Sequence, residues 1–147
     1  MEKKHAVLFS TDISARGVDF PAVDWVIQVD CPEDTSTYIH RVGRTARYKS
    51  KGNALLMLLK SEEKFAERLK ERSIDLKKLA TKADKQLTIK PVLEKMNAEN
   101  KDLQHLAKKA CTSYLKGVHI MKDKQVFQLS GVDPAKLAES YGLLNAP

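Results

Sequence analysis

Three short strand-like runs lie within the first 59 residues: Ala6-Val7-Leu8-Phe9, Trp25-Val26-Ile27-Gln28-Val29 and Ala54 to Leu59. They limit what the chain can fold into. The first is fully apolar and stops at Ser10-Thr11-Asp12, as a buried parallel strand does when it opens into a loop. Between the second and third, Pro32-Glu33-Asp34-Thr35-Ser36 supplies turn and cap chemistry for a helix from about Thr37 to Arg47. Strand, loop, strand, helix, strand implies an α/β layered sheet.

Beyond Leu59 the pattern becomes helical. Ser61 is placed to cap a helix whose first turn carries Glu62 and Glu63 and which ends near Arg72. Ile89, Val92, Leu93 and Met96 fall at i, i+3, i+4 and i+7, and Leu103 to Leu115 continue that spacing, so two amphipathic helices with one buried face each are expected. Lys122-Asp123-Lys124 reads as a turn. Asp133-Pro134, then Leu137, Ala138, Tyr141 and Gly142, reads as a short last helix with an N-cap, a first-turn proline and a glycine stop. The expected organisation is an α/β part over residues 1–73 and a mainly α-helical extension over residues 74–147.

Charge is divided unequally between these parts. Residues 1–59 hold 8 basic and 7 acidic side chains, and residues 60–147 hold 18 and 12, so most of the net +7 lies in the second half. Lysines recurring every few residues suit an anionic surface such as RNA. A solvated helix face has the same composition, and no aromatic residues are interleaved to stack bases. The longest apolar run, Ala54 to Leu59, is far below the roughly 18 residues of a membrane helix, so no membrane partner is expected. Cys31 and Cys111 lack a Cys-x-x-Cys spacing and read as reduced, buried thiols, with no metal site.

Two segments carry chemistry. Ser10 to Asp19 follows the carboxyl end of a strand, where open α/β sheets place ligands. Within it Thr11 can donate to a phosphate oxygen, Gly17 permits close approach, and Asp19 can accept from a ribose hydroxyl. The plain alternative is a capped turn. His40 to Arg47 falls on the expected helix, where His40, Arg44 and Arg47 would share a face and Val42 and Ala46 would turn to the sheet. Two planar, permanently charged guanidinium groups on one rigid face suit a polyphosphate.

At these residues the chain resembles the DEAD-box ATP-dependent RNA helicases of superfamily 2. Ser10 to Asp19 looks like their motif V and His40 to Arg47 like their motif VI, in the expected order and separation. Asp19 to Trp25, Cys31-Pro32-Glu33-Asp34, Met121 to Phe127 and Tyr141-Gly142-Leu143 are similar to the Dbp-four-like nucleolar subgroup that acts in small-ribosomal-subunit biogenesis.

The resemblance implies a partial RecA-like, P-loop NTPase-type helicase C-terminal domain followed by a helical extension. It implies Arg44 and Arg47 as catalytic arginine fingers on the γ-phosphate of ATP, and Gly17 and Asp19 as ATP-binding. It also implies Thr11 and Asp12 facing the RNA backbone, and Arg16, His40 and Arg41 coupling two RecA-like domains. ATP and Mg²⁺ are the implied cofactors, and pre-rRNA or small nucleolar RNA the implied partner. Pre-ribosomal proteins are possible further partners. A monomer in the nucleus and nucleolus is the implied setting.

None of the six glycines begins a G-x-x-x-x-G-K-[ST] phosphate loop, and no Asp-Glu-Ala-Asp tetrad occurs. Arginine fingers need both. Earlier strands of the domain are therefore expected to precede Ala6, since three strands would leave an apolar sheet edge unpaired. The reading is the C-terminal part of an RNA helicase, inactive by itself. The alternative is a non-catalytic module that binds RNA or a pre-ribosomal partner through its lysine-rich extension.

Overall fold

A computed structural model describes residues 6–15, 23–45 and 52–147. The chain divides into two compact units, residues 1–73 and residues 74–147. The first contains α1 (Asp12–Ala15), β1 (Trp25–Gln28), α2 (Thr35–Val42), β2 (Asn53–Leu56) and α3 (Lys64–Glu71). The second contains α4 (Lys90–Glu99), α5 (Lys101–Ile120) and α6 (Pro134–Ser140). This is the α/β then α-helical order expected of a RecA-like helicase domain with its extension.

β1 and β2 pair in parallel, with Trp25 opposite Asn53 and Gln28 opposite Leu56. The ladder is prolonged at both ends by Asn53 N–H donating to the Asp24 carbonyl and Met57 N–H to that of Gln28, each at 3.0 Å. A parallel pair requires a crossover, and α2 supplies it. Asp34 starts that helix by accepting from Thr37 N–H at 2.7 Å.

Several elements differ from the sequence expectation. Ala6 to Phe9 is not a strand: no described strand pairs with it, and without a ladder its backbone gains nothing by extending. The third run is strand only as far as Leu56, with Asn53 added at its start. α2 ends at Val42, well short of Arg47. Gly43 N–H closes on Ile39 O at 2.8 Å, after which Val23 N–H takes the Arg44 carbonyl at 3.1 Å and Thr45 Oγ1 donates to the Val23 carbonyl. The chain is drawn out of the helix to lie alongside Val23. Ser61 does not cap α3, because it sits inside a 3₁₀ turn over Lys60–Glu62 that Glu62 closes by accepting from Leu59 N–H at 2.9 Å.

The interior of the first unit holds Cys31, Pro32, Tyr38, Phe65 and Leu69. Trp25 and Ile27 alternate along one face of β1, yet each is more than half exposed, as is Val29 just beyond the strand. A parallel sheet is stable when both faces are covered.

In the second unit α5 packs against α4, α6 and the turn Leu129–Gly131. Cys111, Ala138 and Leu143 form its buried cluster, with Ala107, Leu137 and Tyr141 around them. α4 forms where its periodicity predicts but buries a different face. Leu93 and Asn97 turn inward, while Ile89, Val92 and Met96 are 63%, 58% and 45% exposed. Asn97 is held inside by its amide, which donates to the Tyr141 and Gly142 carbonyls at 2.8 and 2.9 Å. α6 begins at Asp133, whose carboxylate accepts from Ala135 and Lys136 N–H. It ends at Gly142, with φ +70°, where Leu143 N–H reaches the Ala138 carbonyl and Gly142 N–H that of Glu139.

Candidate functional site

The site is organised by Arg41, in the last turn of α2. Its Nε donates to Asp12 Oδ1 at 2.6 Å and its Nη2 to Asp12 Oδ2 at 2.7 Å, a bidentate fork. The remaining Nη1 donates to the Asp30 carbonyl at 2.9 Å and reaches Gln28 Oε1 at 3.5 Å. One guanidinium thus ties the start of α1 to α2 and to the end of β1. The Arg41 side chain is 18% exposed and that of Asp12 is 42% exposed, so water partly screens the pair.

The sequence pairs these two segments only through the resemblance, and the structure joins them physically. Asp30 and Gln28 lie outside both motif-like segments. A signal for Gln28 was present, since it is the one polar residue in an otherwise apolar strand, and it is buried at 3% exposure.

Thr11 is exposed directly before α1, and its carbonyl accepts from Ser10 Oγ at 2.9 Å. His40 is exposed in the last turn of α2. Arg44, half-buried, lies past the end of that helix, so the expected shared helical face of His40 and Arg44 is not formed. The cause is the exit at Gly43 and the Val23 to Thr45 pairing. Arg16, Gly17, Asp19, Arg47 and Ala46 lie outside the described residues.

Two further buried groups neighbour this region electrostatically. Burial pushes the Cys31 thiol far up, the Glu62 and Asp30 carboxylates push it further, and Arg41 opposes them. Such a thiol is not a nucleophile. Burial also raises the Glu62 carboxyl, against the pull of the Leu59 N–H. Among the described residues no group of three or more His, Cys, Asp or Glu side chains could hold a metal ion.

This α/β crossover, with two motif segments joined through one arginine, and the helical unit that follows it in sequence have the element order of a helicase C-terminal domain and its extension. The helicase conserved C-terminal domain family matches residues 1–49, and the family described as ATP-dependent rRNA helicase SPB4-like, C-terminal extension, matches residues 100–147. The chain is 52% identical over 147 residues to the ATP-dependent RNA helicase dbp4 of Aspergillus terreus, an alignment covering 99% of this chain and 18% of that protein. It is 50% identical over 144 residues to the ATP-dependent RNA helicase dbp4 of Schizosaccharomyces pombe, covering 98% and 20%. The chain spans about a fifth of the length of the curated relatives it matches. Over nearly its whole length it is similar to one stretch of these ATP-dependent RNA helicases, and its two ends match a helicase conserved C-terminal domain and a helicase C-terminal extension.

Proposed function

We propose that the chain forms the later part of the second RecA-like domain of an RNA helicase, with its extension, and that it couples ATP hydrolysis to RNA remodelling. The observation that carries this reading is the Arg41–Asp12 fork: it holds together the two segments that resemble motifs V and VI, within a chain half identical from end to end to ATP-dependent RNA helicases. In this reading Arg44 and Arg47 are the catalytic arginines that meet the γ-phosphate, and Gly17 and Asp19 contact the nucleotide. Thr11 faces the RNA backbone, and Arg16 and His40 couple the two domains.

Asp12 and Arg41 then act through each other. Both Asp12 oxygens are taken by the Arg41 fork, and a carboxylate by itself would repel a phosphodiester. The pair fixes the loop ahead of α1, with Thr11 on it, relative to the helix that leads to Arg44. ATP with Mg²⁺ is the cofactor pair of this reading. Their remaining contacts belong to a phosphate loop and an acidic tetrad that this chain does not contain, so the 147 residues alone do not turn over ATP.

The kinship to rRNA helicases in the extension supports pre-rRNA or small nucleolar RNA as substrate, small-subunit biogenesis as setting and the nucleolus as location. Pre-ribosomal proteins fit as further partners of a monomeric helicase. The decisive measurement is RNA-stimulated ATP hydrolysis by the complete helicase. Arg44→Ala and Arg47→Ala should each lower it by about 10³-fold, the lower end for arginine fingers. Unchanged turnover in both variants would sink the reading.

A further inference from the structure

α5 is two-faced in a way that its amphipathicity alone does not require. Lys101, His105, Lys108, Thr112, Lys116 and His119 follow one another at steps of four, three, four, four and three residues, which places them in one file along the helix. All six are exposed, and Lys109 flanks the file. The opposite side carries Cys111 and Val118, which are buried, and the half-buried Ala107 and Tyr114. The helix has 20 residues, so the file runs for about 30 Å at 1.5 Å per residue.

The charge pattern is what separates this face from an ordinary solvated one. Solvated helices usually interleave both signs. α4 does so: Lys90 pairs with Glu94 and Glu139, and Lys95 with Glu99. On α5 the only acidic residue is Asp102, in the first turn and off the file. Lys101, Lys108, Lys109 and Lys116 make no ion pair among the described residues. Four like charges kept unpaired on one rigid rod repel one another unless a polyanion lies along them.

We propose that this face of α5 binds the phosphate backbone of an RNA strand, as a second RNA contact separate from Thr11 and the Arg41–Asp12 region. No aromatic residue lies on the file, so the contact is made by charge rather than by base stacking and is indifferent to base sequence. The identity of the polyanion as RNA rests on the helicase reading, whereas the surface itself rests on the charge geometry.

The test measures binding of a fluorescein-labelled single-stranded oligouridine to the 147-residue chain between about 50 and 200 mM salt, where binding to the backbone weakens steeply. In one variant Lys101, Lys108, Lys109 and Lys116 are each changed to Gln. In a control of equal charge change Lys77, Lys78, Lys82 and Lys85 are each changed to Gln. Glutamine keeps helix propensity and all eight lysines are exposed, so both variants should retain the parent's helical circular dichroism.

The file variant should bind at least about tenfold more weakly at low salt. The slope of log affinity against log salt should shrink by up to about 3, at roughly 0.7 for each phosphate that the variant no longer neutralises. The control should stay within about twofold of the parent. Equal weakening in the two variants would reduce the effect to net charge and overturn the proposal. Undiminished binding by the file variant, or an affinity flat in salt, would overturn it in favour of a protein partner. Failure here is distinguishable from failure of the helicase reading, which is judged on ATP hydrolysis by the Arg44 and Arg47 variants and does not depend on α5.

Discussion

Arg41 and Asp12, 29 positions apart in the chain, meet through two near-parallel hydrogen bonds of 2.6 and 2.7 Å. The fork geometry is specific to guanidinium, because lysine presents a point charge and cannot span both carboxylate oxygens while also reaching the Asp30 carbonyl. Arg41→Lys should therefore cost about 1–2 kcal/mol, close to the cost of Arg41→Ala, with Asp12 partly exposed and water screening the pair. A double-mutant cycle with Asp12→Asn, read by urea unfolding, should return a coupling of about 1 kcal/mol. Additive effects would show that the two segments are held by something else.

Gly142 is the position where backbone conformation and crowding coincide. Its φ is +70°, and a Cβ there would stand 2.7 Å from both the carbonyl carbon and the Cβ of Leu93 on α4. Gly142→Ala should destabilise the chain by about 2–4 kcal/mol, the left-handed penalty plus a clash with backbone that cannot rotate away. Thermal unfolding followed by circular dichroism should then show a midpoint lowered by about 10 °C or more for a unit of this size. Gly117→Ala serves as the contrast, since a Cβ there meets nothing within 4 Å and sits within α5. That variant should be neutral or slightly stabilising. Equal midpoints for the two variants would refute the account of Gly142.

What the sequence discloses here follows the range of the forces involved. α5, α6 with its Asp133 cap and Gly142 stop, and the β1–α2–β2 order rest on local periodicity and capping, so they are legible. The end of α2 is not, because Thr45 leaves the helix to bond Val23, 22 residues earlier. The same holds for the inward face of α4, where Asn97 finds carbonyls 44 and 45 residues away and displaces the apolar stripe from the interior. Ala6 to Phe9 has strand composition without a pairing partner among the described residues, and composition cannot supply one. In the site, the chemistry of Arg41 was legible from its residue type, but its partners Asp12, Asp30 and Gln28 depend on tertiary packing.

Both thiols should be unreactive in the folded chain. Cys111 is fully buried and Cys31 nearly so, and burial raises both above the usual thiol range, with Glu62 and Asp30 adding to the effect at Cys31. Ellman's reagent at mildly alkaline pH should label neither cysteine until denaturant is added, when both should react at once. Rapid labelling of one thiol in native conditions would place that cysteine outside the interior described for its unit.

Glu62 gives the clearest pH dependence. Its carboxyl is buried, and the desolvation of its charged form outweighs the Leu59 N–H that favours ionisation, so its folded pKa lies above the ordinary carboxylate value. The folded chain then holds this proton more tightly than the unfolded chain does. Its contribution to stability is fully present below the unfolded pKa of about 4.3 and is lost as pH rises through the raised folded value. Glutamine removes the charge and keeps an oxygen to accept from Leu59. Glu62→Gln should match the parent at about pH 3.5, where the glutamate is protonated in both states, and should be the more stable protein at about pH 7.5. Urea midpoints of the two proteins at both pH values measure this directly, and a variant less stable than the parent at the higher pH would show that the ionised carboxylate is favoured by its surroundings after all.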